Sequence, residues 1–138
     1  MTNNQLIIVM PTYNELENLT ILIPKIGEVF RKNNIIGSLL IVDDNSPDGT
    51  GKHLSKHSSD YANSNFELKL LHRAGKLGLG TAYIEGYNLA LKSSPDFILG
   101  MDADFSHDPK YINQIYNELQ TNDMVIGSRY VDGGGIQN

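Results

Sequence analysis

Short apolar runs, separated by helical or turn-rich stretches, set the architecture of this chain. Leu6 to Met10 is apolar and β-branched on successive residues and ends at Pro11, the mark of a strand buried on both faces rather than a half-exposed, alternating one. Ser38 to Val42, Phe66 to Leu71, Phe97 to Met101 and Met124 to Ile126 read as further strands. Between the first two, Leu19, Ile23, Ile26, Val29 and Phe30 recur at helical spacing. Pro24 inside this pattern predicts either a helix that starts near it or a kinked one. Helices are also expected from about Thr50 to the late fifties, from about Thr81 to Lys92, and from Pro109 to Leu119 with Asp108 as N-cap. Such alternation predicts an α/β fold: one domain over residues 1–138, with a mostly parallel sheet and helices on both faces.

Bulk properties narrow the partners. Sixteen acidic against eleven basic side chains give a net charge of -5, which argues against nucleic-acid binding, since that needs a basic face. A small phosphorylated ligand needs only a few placed cations and stays open. With no cysteine, disulfides, thiolate zinc sites and thiol catalysis are excluded, and a reducing cytosol is compatible. No run approaches the roughly 18 apolar residues of a membrane span, and Met1 to Gln5 lacks the basic start of a signal peptide. A cytoplasmic chain is expected. The stretch Val131 to Asn138, with Gly133-Gly134-Gly135, reads as a loop that nothing closes, as in a fragment of a longer protein.

In a parallel sheet of this kind, ligands bind beyond the carboxyl ends of the strands. The chemically unusual clusters here all follow strands: Pro11 to Glu15, Asp43 to Asp48, Arg73 to Gly80, Asp102 to Asp108 and Gly127 to Arg129. One shared site is therefore expected along one edge. Its centre is Asp102-Ala103-Asp104, because residues two apart in extended backbone point to the same side. Two such carboxylates repel unless a cation sits between them. Hard oxygen donors on an open strand end suit Mg2+ or Mn2+ that also binds diphosphate oxygens. The competing reading is a pair of solvated acids ahead of a helix.

Each remaining cluster also has two readings. Asp44 is assigned to a ribose or base and Asp43 to the support of its own turn. Tyr13 could pack on a base and Glu15 hydrogen-bond it, although Asn14 or Asn18 capping the next helix explains the same residues more economically. His72, Arg73 and Lys76 with Gly75, Gly78 and Gly80 could receive phosphate but match no nucleotide-loop consensus. Arg129 is placed to grip a phosphate bidentately, or else is an unpaired surface arginine. His53, His57 and His107 have no evident catalytic partners, and Tyr83 with Tyr87, one helical turn apart, read as packing residues.

Taken in order, Pro11-Thr12-Tyr13-Asn14-Glu15, Val42 to Thr50, Arg73 with Lys76 to Ala82, Met101 to Pro109 and Gly127-Ser128-Arg129-Tyr130 resemble the family 2 glycosyltransferases, specifically the dolichyl-phosphate (polyprenyl-phosphate) mannosyltransferase group. The likeness runs from about Leu6 to the last residue. It implies a GT-A (Rossmann-like) fold, a GDP-mannose donor, a polyprenyl-phosphate acceptor at the cytoplasmic face of a membrane, and inversion at the anomeric carbon. Carried over by position, Pro11, Tyr13, Glu15, Val42 and Asp44 would hold the nucleoside. Asp102, Ala103 and Asp104 would bracket diphosphate and metal, and Arg129 would contact phosphate or sugar. Ser106 stands where some relatives have a metal-ligating glutamine, so it is the expected third ligand. The resemblance also implies further basic residues, an acceptor segment and a membrane-anchoring region or subunit outside this chain.

Three other readings compete. A phospho-accepting receiver domain has similar length and acidic clusters, but carries its acidic pair after the first strand and a lysine after the fifth. A UDP-sugar-dependent enzyme of the same family and a donor-binding but inactive fragment fit the motifs as well.

Overall fold

The computed structural model describes residues 5–127. Four parallel strands, β1 (Gln5–Thr12), β2 (Ile36–Asp43), β3 (Phe66–His72) and β4 (Phe97–Gly100), form one sheet in the order β3-β2-β1-β4. They alternate with helices α1 (Leu16–Lys32), α2 (Thr50–His57), α3 (Leu79–Leu91) and α4 (Ile112–Leu119), and with short 3-10 turns at Ser58–Tyr61 and Pro109–Tyr111. This is the α/β fold that the sequence predicts.

The apolar run Leu6 to Met10 is buried on both faces because each face has its own layer. Leu6, Ile8 and Met10, with Leu39 and Ile41 of β2, pack against α1 and reach Leu54 of α2 and Ile112 of α4. The intervening Ile7 and Val9, with Leu40 and Val42, pack against α3. α1 contributes Leu19, Leu22, Ile23, Ile26 and Phe30, all fully buried, each such side chain giving about 1.5–3 kcal/mol on leaving water. Phe30 meets Phe66 of β3 edge to face, ring centroids 5.1 Å apart.

α3 meets the sheet through a stripe of small residues, Ala82, Gly86 and Ala90. A Cβ on Gly86 would overlap Val9 Cγ1 and come within 3.0 Å of Val42 Cγ2. Glycine at this position lets α3 lie close against β1 and β2.

α1 runs unbroken through Pro24. The ring is exposed while its neighbours Leu22, Ile23 and Ile26 are buried, so the carbonyl that loses its N–H partner faces water. The expected fifth strand does not form. Met124 and Ile126 are 76% and 77% exposed, and residues 124–126 join no ladder among the described residues. So short a run, flanked by Asp123 and Gly127, has too few apolar contacts to hold itself on an edge.

Candidate active site

From β1 the chain steps to β2 and β3 on one side, and from β3 it crosses back to β4 on the other side of β1. The loops after β1 and β4 therefore diverge at the switch point of the sheet, the place where ligands bind in folds of this kind. The acidic triplet follows β4 beside this switch point.

Met101 continues the ladder, donating its N–H to Val9 O at 3.0 Å. Met101 and Ala103 turn into the core at 2% and 5% exposure. Asp102, half-buried, and Asp104, exposed, therefore take the other side, as the two-residue period requires. Tyr83 of α3 donates its hydroxyl to Asp102 Oδ1 at 2.5 Å. The Asp102 N–H donates to His107 Nδ1 at 3.0 Å. Ser106 gives Asp104 Oδ1 two hydrogen bonds, from its N–H at 3.0 Å and its hydroxyl at 2.5 Å. This tight turn also puts Phe105 at φ 66°.

The electrostatics follow from these contacts. The Ser106 hydrogen bonds hold the Asp104 carboxyl below its ordinary range, with a smaller contribution from His107. Burial and the Asp102 carboxylate push the Tyr83 phenol far above its usual value, so it stays a donor. Burial, then the Asp102 charge, raise Tyr87 as well.

Each carboxylate thus has Oδ1 engaged and Oδ2 with no protein partner among the described residues. Two hard oxygens on one side of an open strand end fit a small divalent ion that completes its shell from phosphate and water. Among the described residues no cluster of three or more His, Asp or Glu side chains is assembled to hold an ion alone. Ser106, the expected third ligand, donates its hydroxyl to Asp104 and keeps its lone pairs.

The other acidic turn is built differently. Asp43 accepts from Ser46 Oγ at 2.5 Å and from Ser46 N at 3.3 Å, the supporting role expected of it. Asp44 is held by Arg73, Nε to Oδ1 at 2.7 Å and Nη2 to Oδ2 at 3.3 Å. The two side chains are only 7% and 2% exposed. Arg73 also donates to Thr81 Oγ1 at 3.1 Å and lies 3.5 Å from Glu85, while its Nη1 is buried without a hydrogen bond. Arg73 is therefore a buried partner of Asp44, not a free phosphate receptor in a loop.

Asp48 replaces Asn14 and Asn18 as the cap of α1. Its Oδ2 accepts from Leu16 N at 3.3 Å, and its Oδ1 accepts from Thr50 N at 2.9 Å and from the Thr50 hydroxyl. One carboxylate serves two helix starts. Burial works to raise the Asp48 carboxyl, but the hydrogen bonds from Thr50 and Leu16 outweigh it and hold it low. Asn14 instead ties the two loops, its Oδ1 accepting from Asp48 N at 3.2 Å and its own N–H donating to Ser46 Oγ at 2.9 Å. Asn18 donates to Glu15 Oε2 at 2.6 Å. Tyr13, 37% exposed, lies under Lys76, whose Nζ is 4.7 Å from the ring centroid. Pro11 and Val42 are buried at the register pair next to the last of β1 and β2.

Tyr83 and His107 both contact Asp102, which the sequence reading missed. Spacing alone could not separate a packing tyrosine from one that reaches a carboxylate. Arg129 lies outside the described residues.

The model of the family described as glycosyl transferase family 2 matches residues 7–138. The chain belongs to this family. It is 37% identical over 130 residues to an undecaprenyl-phosphate mannosyltransferase of Micrococcus luteus, covering 94% of this chain and 50% of that protein. It is 35% identical over 136 residues to a polyprenol monophosphomannose synthase of Mycolicibacterium smegmatis, covering 96% and 48%. This family 2 chain thus spans about half the length of these curated relatives. Among solved structures it resembles the mannosyltransferase PcManGT from Pyrobaculum calidifontis in complex with GDP-Man and Mn2+. That match has a TM-score of 0.65 at 19% identity, covering 86% of this chain and 33% of that one. It also resembles S. aureus TarS, TM-score 0.52 at 22% identity, covering 84% and 20%. The fold is GT-A, and the receiver-domain reading is set aside. Among the described residues no helix is long and apolar enough to cross a membrane.

Proposed function

We propose that this domain binds GDP-mannose with Mg2+ or Mn2+ and forms the donor half of a polyprenyl-phosphate mannosyltransferase. The observation that carries the reading is the pair Asp102 and Asp104 at the switch point, each with one carboxylate oxygen left open. The curated relatives support the sugar and the acceptor class, and the solved mannosyltransferase supports the donor and ion.

In this reading Asp102, Asp104 and Ser106 hold the ion, which when bound offsets charge on the departing nucleoside diphosphate. Ala103, with its small side chain buried, leaves the backbone open to the diphosphate. Tyr13, with Lys76 on its ring, and Glu15 form one wall for the nucleoside, with Pro11 and Val42 beneath. Asp44, already fixed by Arg73, presents a rigid edge to the base or ribose. Arg129 would contact phosphate or sugar. A phosphate-monoester acceptor is already ionised near neutral pH, so transfer with inversion asks for no strong general base. A polyprenyl-phosphate acceptor would be met at a membrane surface, in this reading on its cytoplasmic side.

Calorimetry with GDP-mannose, UDP-glucose and UDP, each with Mn2+ and with EDTA, tests the reading. GDP-mannose should bind only with the ion. Tighter binding of UDP-glucose would reassign the donor, and no binding by any of them would overturn the proposal. Labelled mannose recovered in a polyprenyl-phosphate product would establish transfer; binding without transfer would mark this chain as a donor-binding fragment.

A further inference from the structure

We propose that Tyr83 is a positioning residue for the ion, holding Asp102 Oδ1 so that Oδ2 is the oxygen turned toward the metal. This rests on the reading of Asp102 and Asp104 as metal ligands and adds to it a residue on a different element, with no contact to the ion required.

A carboxylate on a strand end can rotate about its last bond and offer either oxygen, or both. Here one group restrains that rotation, Tyr83 Oη, which donates to Oδ1 at 2.5 Å, while the Asp102 N–H, donating to His107 Nδ1, fixes the backbone from which the side chain projects. Neighbouring groups that fix a ligand in this way typically change metal affinity about 10–100-fold when removed.

The reach of Tyr83 is built into the packing. Gly86 lets α3 settle against β1 and β2, since any Cβ there would overlap Val9. At the end of β4, a Cβ on Gly100 would overlap the Tyr87 hydroxyl and come 3.1 Å from Tyr83 Cε1. Two glycines on two elements thus make room for the tyrosine pair over the last residue before Met101. Tyr87 then flanks Tyr83 at 5.7 Å between ring centroids, which limits the swing of the phenol. Packing alone would be met by phenylalanine; the hydroxyl is what meets the carboxylate.

The test is the affinity for Mn2+ in the presence of GDP, read from the electron paramagnetic resonance signal of free Mn2+. Tyr83→Phe keeps the ring and should weaken Mn2+ binding about 10–100-fold, while its melting temperature stays close to the parent's. Tyr87→Phe, which removes a hydroxyl from the same helix face, should leave Mn2+ binding unchanged. Tyr83→Phe added to Asp102→Asn should weaken it no further than Asp102→Asn alone. Parent-like Mn2+ binding by Tyr83→Phe overturns the proposal, as does an equal loss in Tyr87→Phe. Asp104→Asn separates the two levels. If it also binds Mn2+ as the parent does, the metal-site reading fails; if it loses Mn2+ while Tyr83→Phe does not, only the role of Tyr83 fails.

Discussion

Two acidic turns lie on the same edge of the sheet, and they spend their carboxylates in opposite ways. In the turn after β2, Asp43 is closed by Ser46, Asp44 by Arg73 and Asp48 by the starts of α1 and α2. In the turn after β4, Asp102 and Asp104 have one oxygen each engaged and the other open. Acidity and position are alike in the two turns. What separates a scaffold acid from one open to an ion is whether the protein already engages both of its oxygens; Asp44, held on both by Arg73, keeps in the proposed reading only a fixed edge for the nucleoside.

That contrast can be broken most directly at Arg73. Arg73→Ala leaves Asp44 buried and unpaired, so urea unfolding should show a loss of about 3–5 kcal/mol. Pairing Arg73→Met with Asp44→Leu should recover most of it, because no charge remains buried. A small effect of the single change would mean that the first turn is no more committed to structure than the second.

Asp48→Ala comes next, at about 1–2 kcal/mol for a carboxylate that caps two helix starts. Its depressed folded value fixes the sign with pH. The stabilisation is fully present above the ordinary aspartate value of about 3.9 and is lost as pH falls through the lower folded value. The gap between parent and variant in thermal melts should therefore narrow below about pH 4. A gap that widens in acid would contradict the capping assignment.

The smallest effect on stability is expected at Asp104. Asp104→Asn keeps the acceptor for Ser106 and should move stability by no more than about 0.5 kcal/mol, yet abolish ion-dependent binding of the nucleotide sugar. A loss as large as that of Arg73→Ala would place Asp104 among the scaffold acids and dissolve the comparison.

Much of this was legible in the sequence. The run Leu6 to Met10 announced a doubly covered strand because both faces must be apolar, and both faces are covered. Asp102 and Asp104 were legible because a period of two survives just past the end of β4, with Met101 and Ala103 turned inward. Pro24 was ambiguous, since its cost depends on whether the freed carbonyl meets water, and only the packed helix fixes that. The Arg73–Asp44 pair was not legible because its partners lie 29 residues apart in sequence. Tyr83 was missed for the same reason: its reach to Asp102, 19 residues away, depends on Gly86 letting α3 approach the sheet and on Gly100 at the end of β4 making room for the ring. Met124 to Ile126 had a strand's composition but lacks, among the described residues, the ladder that would make it one.

The sheet order also has a consequence in time. β4 meets β1 only along Leu6 to Val9, whereas β2 follows β1 from Gln5 to Thr12. The Gln5 N–H that donates to Asp96 at the entry to β4 closes a loop of 91 residues, the kind of distant pairing that slows folding. β1, β2 and β3 can assemble through shorter loops without it. The strand that leads into the Asp102 turn is therefore the most lightly fastened, with four register pairs against seven or eight elsewhere in the sheet. In the proposed reading, a ligand bridging the loops after β1 and β4 would act as a clasp on the finished sheet.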